Sequence, residues 1–575
     1  MAWIHNRHLC RRNTIATDQT SLAVRSVRAD DSTNYCFLLH YVGLLMTFVS
    51  DDIRLKSVPA QRSRATATWV FWFVGIMGIT AVLGLFLFRF GATPAIIGWL
   101  LYLIGIAAII YQPRYGIYLT VFFVLVGDAV MMTWYPFGKN FSSIESLFYL
   151  HNSLIISPLE SYLVLTFISW LGRAAVQRRL KIHTGLLFWS SLALLAFAIF
   201  GLLYGIGTGG SVNVALWEVR VIFYLPAVIL LASNLFTERT QVSHLMWVIM
   251  IALFIEGLMG SYVYFVVLDR NLGLVEGITE HAASIHMNTL FVFTLAVWLY
   301  KGSWTKRLLL PLISIPVMFS YLASQRRSAF IVLFVALGLM TLLLYRESRK
   351  LFWMIVPAVA VAGMLYIAVF WNSSGALGLP AQAIKSVVAK DQANAKDRSS
   401  NIYRETENIN TSYTIHQKPL TGIGFGQRFY TLVDLPDISS YIWFEYITHN
   451  SIAWIWMKAG VGGFLALLFF IGTAVMTGIR VLWRMPRNNM SAIALTATLY
   501  IIMHFIYAYA DMSWDAPNMV YIGVMAGIIN SLERIVDQPI PVKPKRWTWQ
   551  PDEVPPPGLS PLLDTKQGEH MQCRN

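Results

Sequence analysis

The stretch ITHNSIAWIWMKAGVGG, from Ile447 to Gly463, places a histidine and an asparagine at the mouth of an apolar segment. Histidine can be neutral and take up a proton near neutral pH, so His449 is a candidate general base, with Asn450 a candidate substrate contact beside it. An interfacial histidine bonded to backbone is the plainer alternative. Upstream, YLASQRRSAFIVLF holds Arg326 and Arg327 in a tight turn, and SVNVALWEVRVIFYLP sets Arg220 inside an apolar run. The planar fork of arginine gives two charge-assisted hydrogen bonds to phosphate oxygens, which suits a diphosphate. Here too there is a plainer alternative. The turn pair would anchor to lipid phosphate, and Arg220 would pair with an acid on another span, Asp128 or Glu256.

A third polar stretch, IYRETENINTSYTIHQKPLTGIGFGQRFY, adds Arg404 and the glycines Gly422, Gly424 and Gly426 as candidate substrate contacts. Arg404 through His416 reads as an amphipathic helix, and the Pro and Gly residues after it as an irregular turn. GIGFG lacks the strand-before, helix-after setting of a nucleotide loop, and a turn that lets backbones approach closely is the simpler reading. Glu280, His281 and His286 lack zincin spacing, and no metal site is expected. Asp511 and Asp515 fall in a turn where they could neutralise an arginine.

The elements that position these residues follow from composition. The chain has 575 residues, 56% of them hydrophobic and 13% charged, where soluble domains average about 25% charged. Uncharged apolar stretches of about 20 residues recur, so the fold class is an all-α polytopic membrane protein with about 12–14 transmembrane helices. The expected spans begin near Trp69, Ala92, Tyr115, Pro158, Thr184, Val214, Ser243, Ser284, Arg307, Arg327, Leu351, Gly460, Met490 and Pro517. The formal charge of +14 fits basic cytoplasmic loops rather than nucleic acid. Cys10, Cys36 and Cys573 lie in the tails without metal or disulfide spacing.

Basic clusters at 173–181, 301–307, 346–350 and 480–487 fall on one side of this topology, which the positive-inside rule makes cytoplasmic together with both termini. Residues 1–68 read as a cytoplasmic, disordered extension, with Met46 as the expected start of translation, and the proline-rich tail 535–575 as disordered too. Residues 69–371 hold the first eleven spans and 372–447 a long external loop. Residues 448–534 form an interfacial helix followed by the last three spans. Gly460, Gly462 and Gly463 supply the break between that interfacial helix and its span, with Lys458 snorkelling outward. Arg220, Arg326, Arg327 and His449 then all face outward. Arg220 lies about 9 Å down its helix, where an unpaired cation costs up to about 3 kcal/mol.

SQRRSAF at the start of a span, then KPLTGIGFG, then FEYITHNSIAWIWMKAGVGG arrive in the order seen in the O-antigen ligase and Wzy-type polymerase superfamily of bacterial envelope glycosyltransferases, which this chain resembles. The resemblance implies a GT-C-like membrane fold in the bacterial inner membrane and a glycan donor on undecaprenyl diphosphate. By position, Arg327 matches the family's turn arginine and His449 its catalytic histidine, while Arg326 stands where a small residue is common. Arg220 is the candidate for an arginine on an earlier span. The expected reaction is inverting transfer to a hydroxyl acceptor, with no cofactor and no metal. Ligase, polymerase and O-linked protein glycosylation stay open, and a secondary transporter is the rival of another class, because intramembrane charges also mark transport pathways.

Overall fold

The computed structural model describes residues 95–126 and 137–538 with short breaks, and part of a helical stretch between 70 and 81. The chain divides into Met1–Thr80 and Ala81–Asn575, and the site lies wholly within the second unit. The expected extension, the start at Met46, Asp128 and the tail beyond 538 lie outside the described residues.

The described residues are helical, and ten of the helices are long and apolar enough to cross a membrane. In chain order they are α1 (Ala95–Tyr111), α2 (Arg114–Val126), α3 (Pro158–Val176), α4 (Gly185–Gly207), α5 (Val212–Leu235), α6 (Arg239–Tyr262), α7 (His281–Leu299) and α8 (Trp304–Ala323). They continue with α9 (Arg327–Glu347), α10 (Arg349–Phe370), α11 (Leu379–Val388), α12 (Ala395–Gln417), α13 (Ser451–Arg484), α14 (Asn489–Ala510) and α15 (Ala516–Ile535). Every expected span from Ala92 onward has a helix in its place.

At the centre stands α14, with most of its surface covered, and α15 lies against α5. Small residues permit that approach: a Cβ on Gly527 would lie 2.4 Å from the Ala232 side chain, and one on Gly523 2.9 Å from Val228. Lipid is as apolar as leucine, so association of this kind depends on close van der Waals packing. At the other extreme α10 has no buried residue and packs mainly on its neighbours α9 and α11 among the described residues.

The basic connections gather at one end of the bundle. Arg487 pairs with Glu347 at 2.9 Å, Arg484 with Asp537 at 2.6 Å and Arg480 with Glu533 at 3.2 Å. Arg534 donates to the Phe236 carbonyl there, and the Ser303 amide donates to Asn489. The candidate residues cluster at the opposite end.

The expected loop 372–447 is largely helical. α11 packs on α9 and α10, and α12 packs on α13. α13 is two helices joined at Gly460, whose φ of 69° and ψ of −173° leave the helical region, so the glycine break falls where the sequence put it. A Cβ at Gly460 would meet the Leu420 carbonyl at 2.1 Å. The turn 419–426 fills the angle. Gly422, Gly424 and Gly426 all have positive φ, and the amides of Ile423 and Phe425 donate to the carbonyls of Met457 and Gly201.

Candidate functional site

His449 sits one residue ahead of the Asn450 cap, whose side chain accepts the Ala453 amide at 3.1 Å and starts α13. Its partner comes from α12. The His449 amide donates to Glu407 Oε2 at 2.8 Å, and ring Nδ1 lies 3.0 Å from the same oxygen. With Glu407 as the acceptor, Nδ1 is the donor of this contact and Nε2 is the nitrogen left with a lone pair. The Glu407 side chain is 2% exposed and His449 27%, which leaves the ring reachable and its buttress shielded. Tyr403 packs edge-on against the imidazole with centroids 5.6 Å apart.

One face of α12 carries the rest of this wall. Arg404, Glu407 and Asn408 recur at i, i+3 and i+4, so a single helix sets their relative heights. Asn450 Nδ2 donates to Asn408 Oδ1 at 3.2 Å, tying the cap of α13 to that face. Arg404 lies 3.8 Å from Asp511 at the end of α14, and Asp511 also accepts from the Tyr507 hydroxyl and the Met512 amide. Asp515 instead caps α15 through the Asn518 amide.

Arg404 and Asn408 of this wall line a cleft of about 1090 Å³, together with the start of α9, α11 and the end of α14, while His449 and Glu407 stand behind them and do not line it. Three arginines, Arg327, Arg398 and Arg404, line it against one carboxylate, Glu405. Beside it lies a smaller chamber of about 470 Å³, and Asn408, Ser412, His416 and Tyr509 border both. Such a cleft can hold a polyvalent anion near a histidine whose free nitrogen can accept a proton.

The remaining candidates are placed elsewhere. Arg220 is held bidentately by Glu160 and donates from Nη1 to Asn140 Oδ1 at 2.8 Å. Tyr224 donates to the same carboxylate at 2.7 Å, and Glu160 closes the capping box of α3 with Ser157. The interhelical pair foreseen for Arg220 therefore exists, with Glu160 as the acid. Glu256 is not the partner: both its oxygens are buried without a hydrogen bond among the described residues. Arg220 does not line the cleft, and neither does Arg326, whose guanidinium packs near Gly277.

The three turn glycines do not line it either. They serve close approach: a Cβ on Gly424 would stand 2.3 Å from Gly205 Cα, and one on Gly205 2.1 Å from the Phe425 carbonyl oxygen. Lys458 corrects the expectation that it snorkels. Its side chain is fully buried, pairs with Glu218 at 3.0 Å and donates to the Gln427 carbonyl at 2.6 Å. Glu218 in turn accepts the Gly426 amide at 2.6 Å. The short helix 451–459 lies against α4, and Lys458 reaches Glu218 on α5, so the lysine points into protein and requires a charged partner.

Glu407, Arg398 and Asn408 were not singled out in the sequence. The i, i+3, i+4 spacing of Arg404, Glu407 and Asn408 was visible there, but the distant partner of that face was not.

Fold and site together define an integral membrane protein with an arginine-lined cleft beside a carboxylate-buttressed histidine at one end of the bundle. Residues 312–468 match the family model described as O-antigen ligase, which supports the likeness to the O-antigen ligase and polymerase superfamily. The match contains Arg327, Arg404, Glu407, the glycine turn and His449, and excludes Arg220. No curated protein matches the chain.

Proposed function

We propose that the protein transfers a glycan from undecaprenyl diphosphate to a hydroxyl acceptor at the outer face of the bacterial cytoplasmic membrane. The observation that supports this reading best is the pairing of His449 with Glu407, one helical turn from Arg404 on the wall of a cleft that Arg327 also lines. The orientation rests on the positive-inside rule, because the basic connections gather at the opposite end.

In this reading Arg327 and Arg404, with Arg398, hold the diphosphate and stabilise the charge it gains as it leaves. His449 Nε2 takes the proton of the acceptor hydroxyl while that oxygen bonds to C1 of the donor sugar. The bond from C1 to the phosphate oxygen breaks with its electron pair on the diphosphate, and attack from the opposite side inverts the configuration. Glu407 holds the imidazole in the tautomer that exposes Nε2 and stabilises its charged form, and Asp511 aims Arg404. The arginines carry the electrostatic work, and metal independence is part of the proposal.

The test uses protein purified into nanodiscs with glycan-loaded undecaprenyl diphosphate and its acceptor. His449→Ala should lose roughly 10²- to 10⁴-fold in transfer and Arg404→Ala roughly 10²- to 10³-fold, both with normal size-exclusion profiles. Full transfer by His449→Ala would overturn the assignment. Loss of activity in EDTA with recovery on adding magnesium or manganese would overturn the metal-free chemistry.

A further inference from the structure

The smaller chamber differs in chemistry from the cleft it adjoins. No Asp, Glu, Lys or Arg is among the described residues that line it. Its walls offer amides from Asn408 and Asn450, the Ser412 hydroxyl and the rings of Trp456 and Tyr509. Asn450, which lines the chamber, is the chain neighbour of His449, and His449 itself does not line it. The Trp456 ring is fixed: its indole N–H donates to the Pro419 carbonyl at 3.0 Å, and it stacks on Phe464 with centroids 4.6 Å apart.

We propose that this chamber binds the acceptor and that the group it takes is a neutral sugar. The inference rests on the glycan-transfer reading above and deepens it. A sugar ring presents a dense set of hydroxyls that both donate and accept, which amides and a serine hydroxyl match. It also presents apolar C–H faces that settle on aromatic rings. A phosphorylated or anionic acceptor would find no Lys or Arg among the described residues of the chamber, and a site specifies its ligand partly by what it fails to satisfy in competitors. The pair of compartments thus divides the two substrates by charge. The arginines take the diphosphate of the donor and the chamber without Lys or Arg takes the sugar hydroxyl that attacks it, with Asn408, Ser412, His416 and Tyr509 at their junction.

The test is saturation-transfer NMR with maltotetraose and chitotetraose on the full-length protein in nanodiscs, alongside calorimetry with inorganic pyrophosphate. At least one neutral oligosaccharide should bind the wild type. Ala453→Trp, at a position of α13 that lines the chamber and not the cleft, should fill the chamber and weaken that binding tenfold or more while pyrophosphate binding stays unchanged, which also reports a folded protein. Trp456→Ala should weaken it similarly and Trp456→Phe should restore most of it. Arg404→Gln should do the reverse, losing pyrophosphate and keeping sugar. The proposal is overturned if neither oligosaccharide binds, or if Ala453→Trp binds sugar as the wild type does. Absence of pyrophosphate binding to the wild type would instead count against the functional reading, and the sugar measurement would stand apart from it.

Discussion

At the scale of single residues, Glu407 gives His449 its direction. Replacing Glu407 by Gln keeps the shape but lets an amide N–H face Nδ1, which favours the tautomer with hydrogen on Nε2 and a blocked base. Transfer should fall roughly 10²- to 10⁴-fold with little change in donor KM. Measurement of kcat and KM separately checks this, and a pure KM effect would mean that Glu407 serves binding. Arg404→Lys should be nearly as impaired as Arg404→Ala, because a point charge cannot reproduce a two-pronged contact. Transfer rates of the two variants side by side decide it, and near-normal turnover by the lysine variant would mean that charge alone suffices. Residue types made much of this legible: His449, Arg327 and Arg404 stand out by chemistry alone. What the sequence hid was partnership. Glu407 meets His449 across 42 positions, and Arg220 finds its acid 60 positions away, because such pairs depend on how α3, α5, α12 and α13 pack.

Among the elements, the turn 419–426 and the short helix 451–459 form one wedge against α4 and α5, and the buried Glu218–Lys458 pair sits at its centre. Lys458→Met strands a buried carboxylate and should destabilise by about 3–5 kcal/mol, whereas Glu218→Met with Lys458→Met should recover part of the loss. Thermal unfolding of single and double variants in the same detergent reads this out, and equal stability of Lys458→Met and wild type would contradict it. Gly424→Ala should fail more severely, since φ is +87° and the new Cβ would stand 2.3 Å from Gly205 Cα. The glycines announced a break and a close approach, and both formed at those residues. The direction of Lys458 was unreadable, because it depends on the hinge angle at Gly460, which no periodicity encodes.

For the whole molecule, apolar runs and basic loops made the helix order legible, since crossing a bilayer constrains length and composition more tightly than a soluble core does. The layout of 372–447 was less so: the helical pattern of 404–416 was visible and falls within α12, whereas α11 read as loop and the packing of both on α9, α10 and α13 was hidden. The proposed orientation predicts that a cysteine at Ser412 reacts with a membrane-impermeant maleimide in intact spheroplasts, and that one at Arg487 reacts only after permeabilisation. The opposite pattern would place the site inside. The most direct measurement of the central claim is the position of a diphosphate in an electron cryomicroscopy map of the protein with a short-chain polyprenyl diphosphate. The account predicts density bridging Arg327 and Arg404, with His449 Nε2 facing the adjoining chamber. Density at Arg220 or at the basic end of the bundle, with the cleft empty, would contradict it.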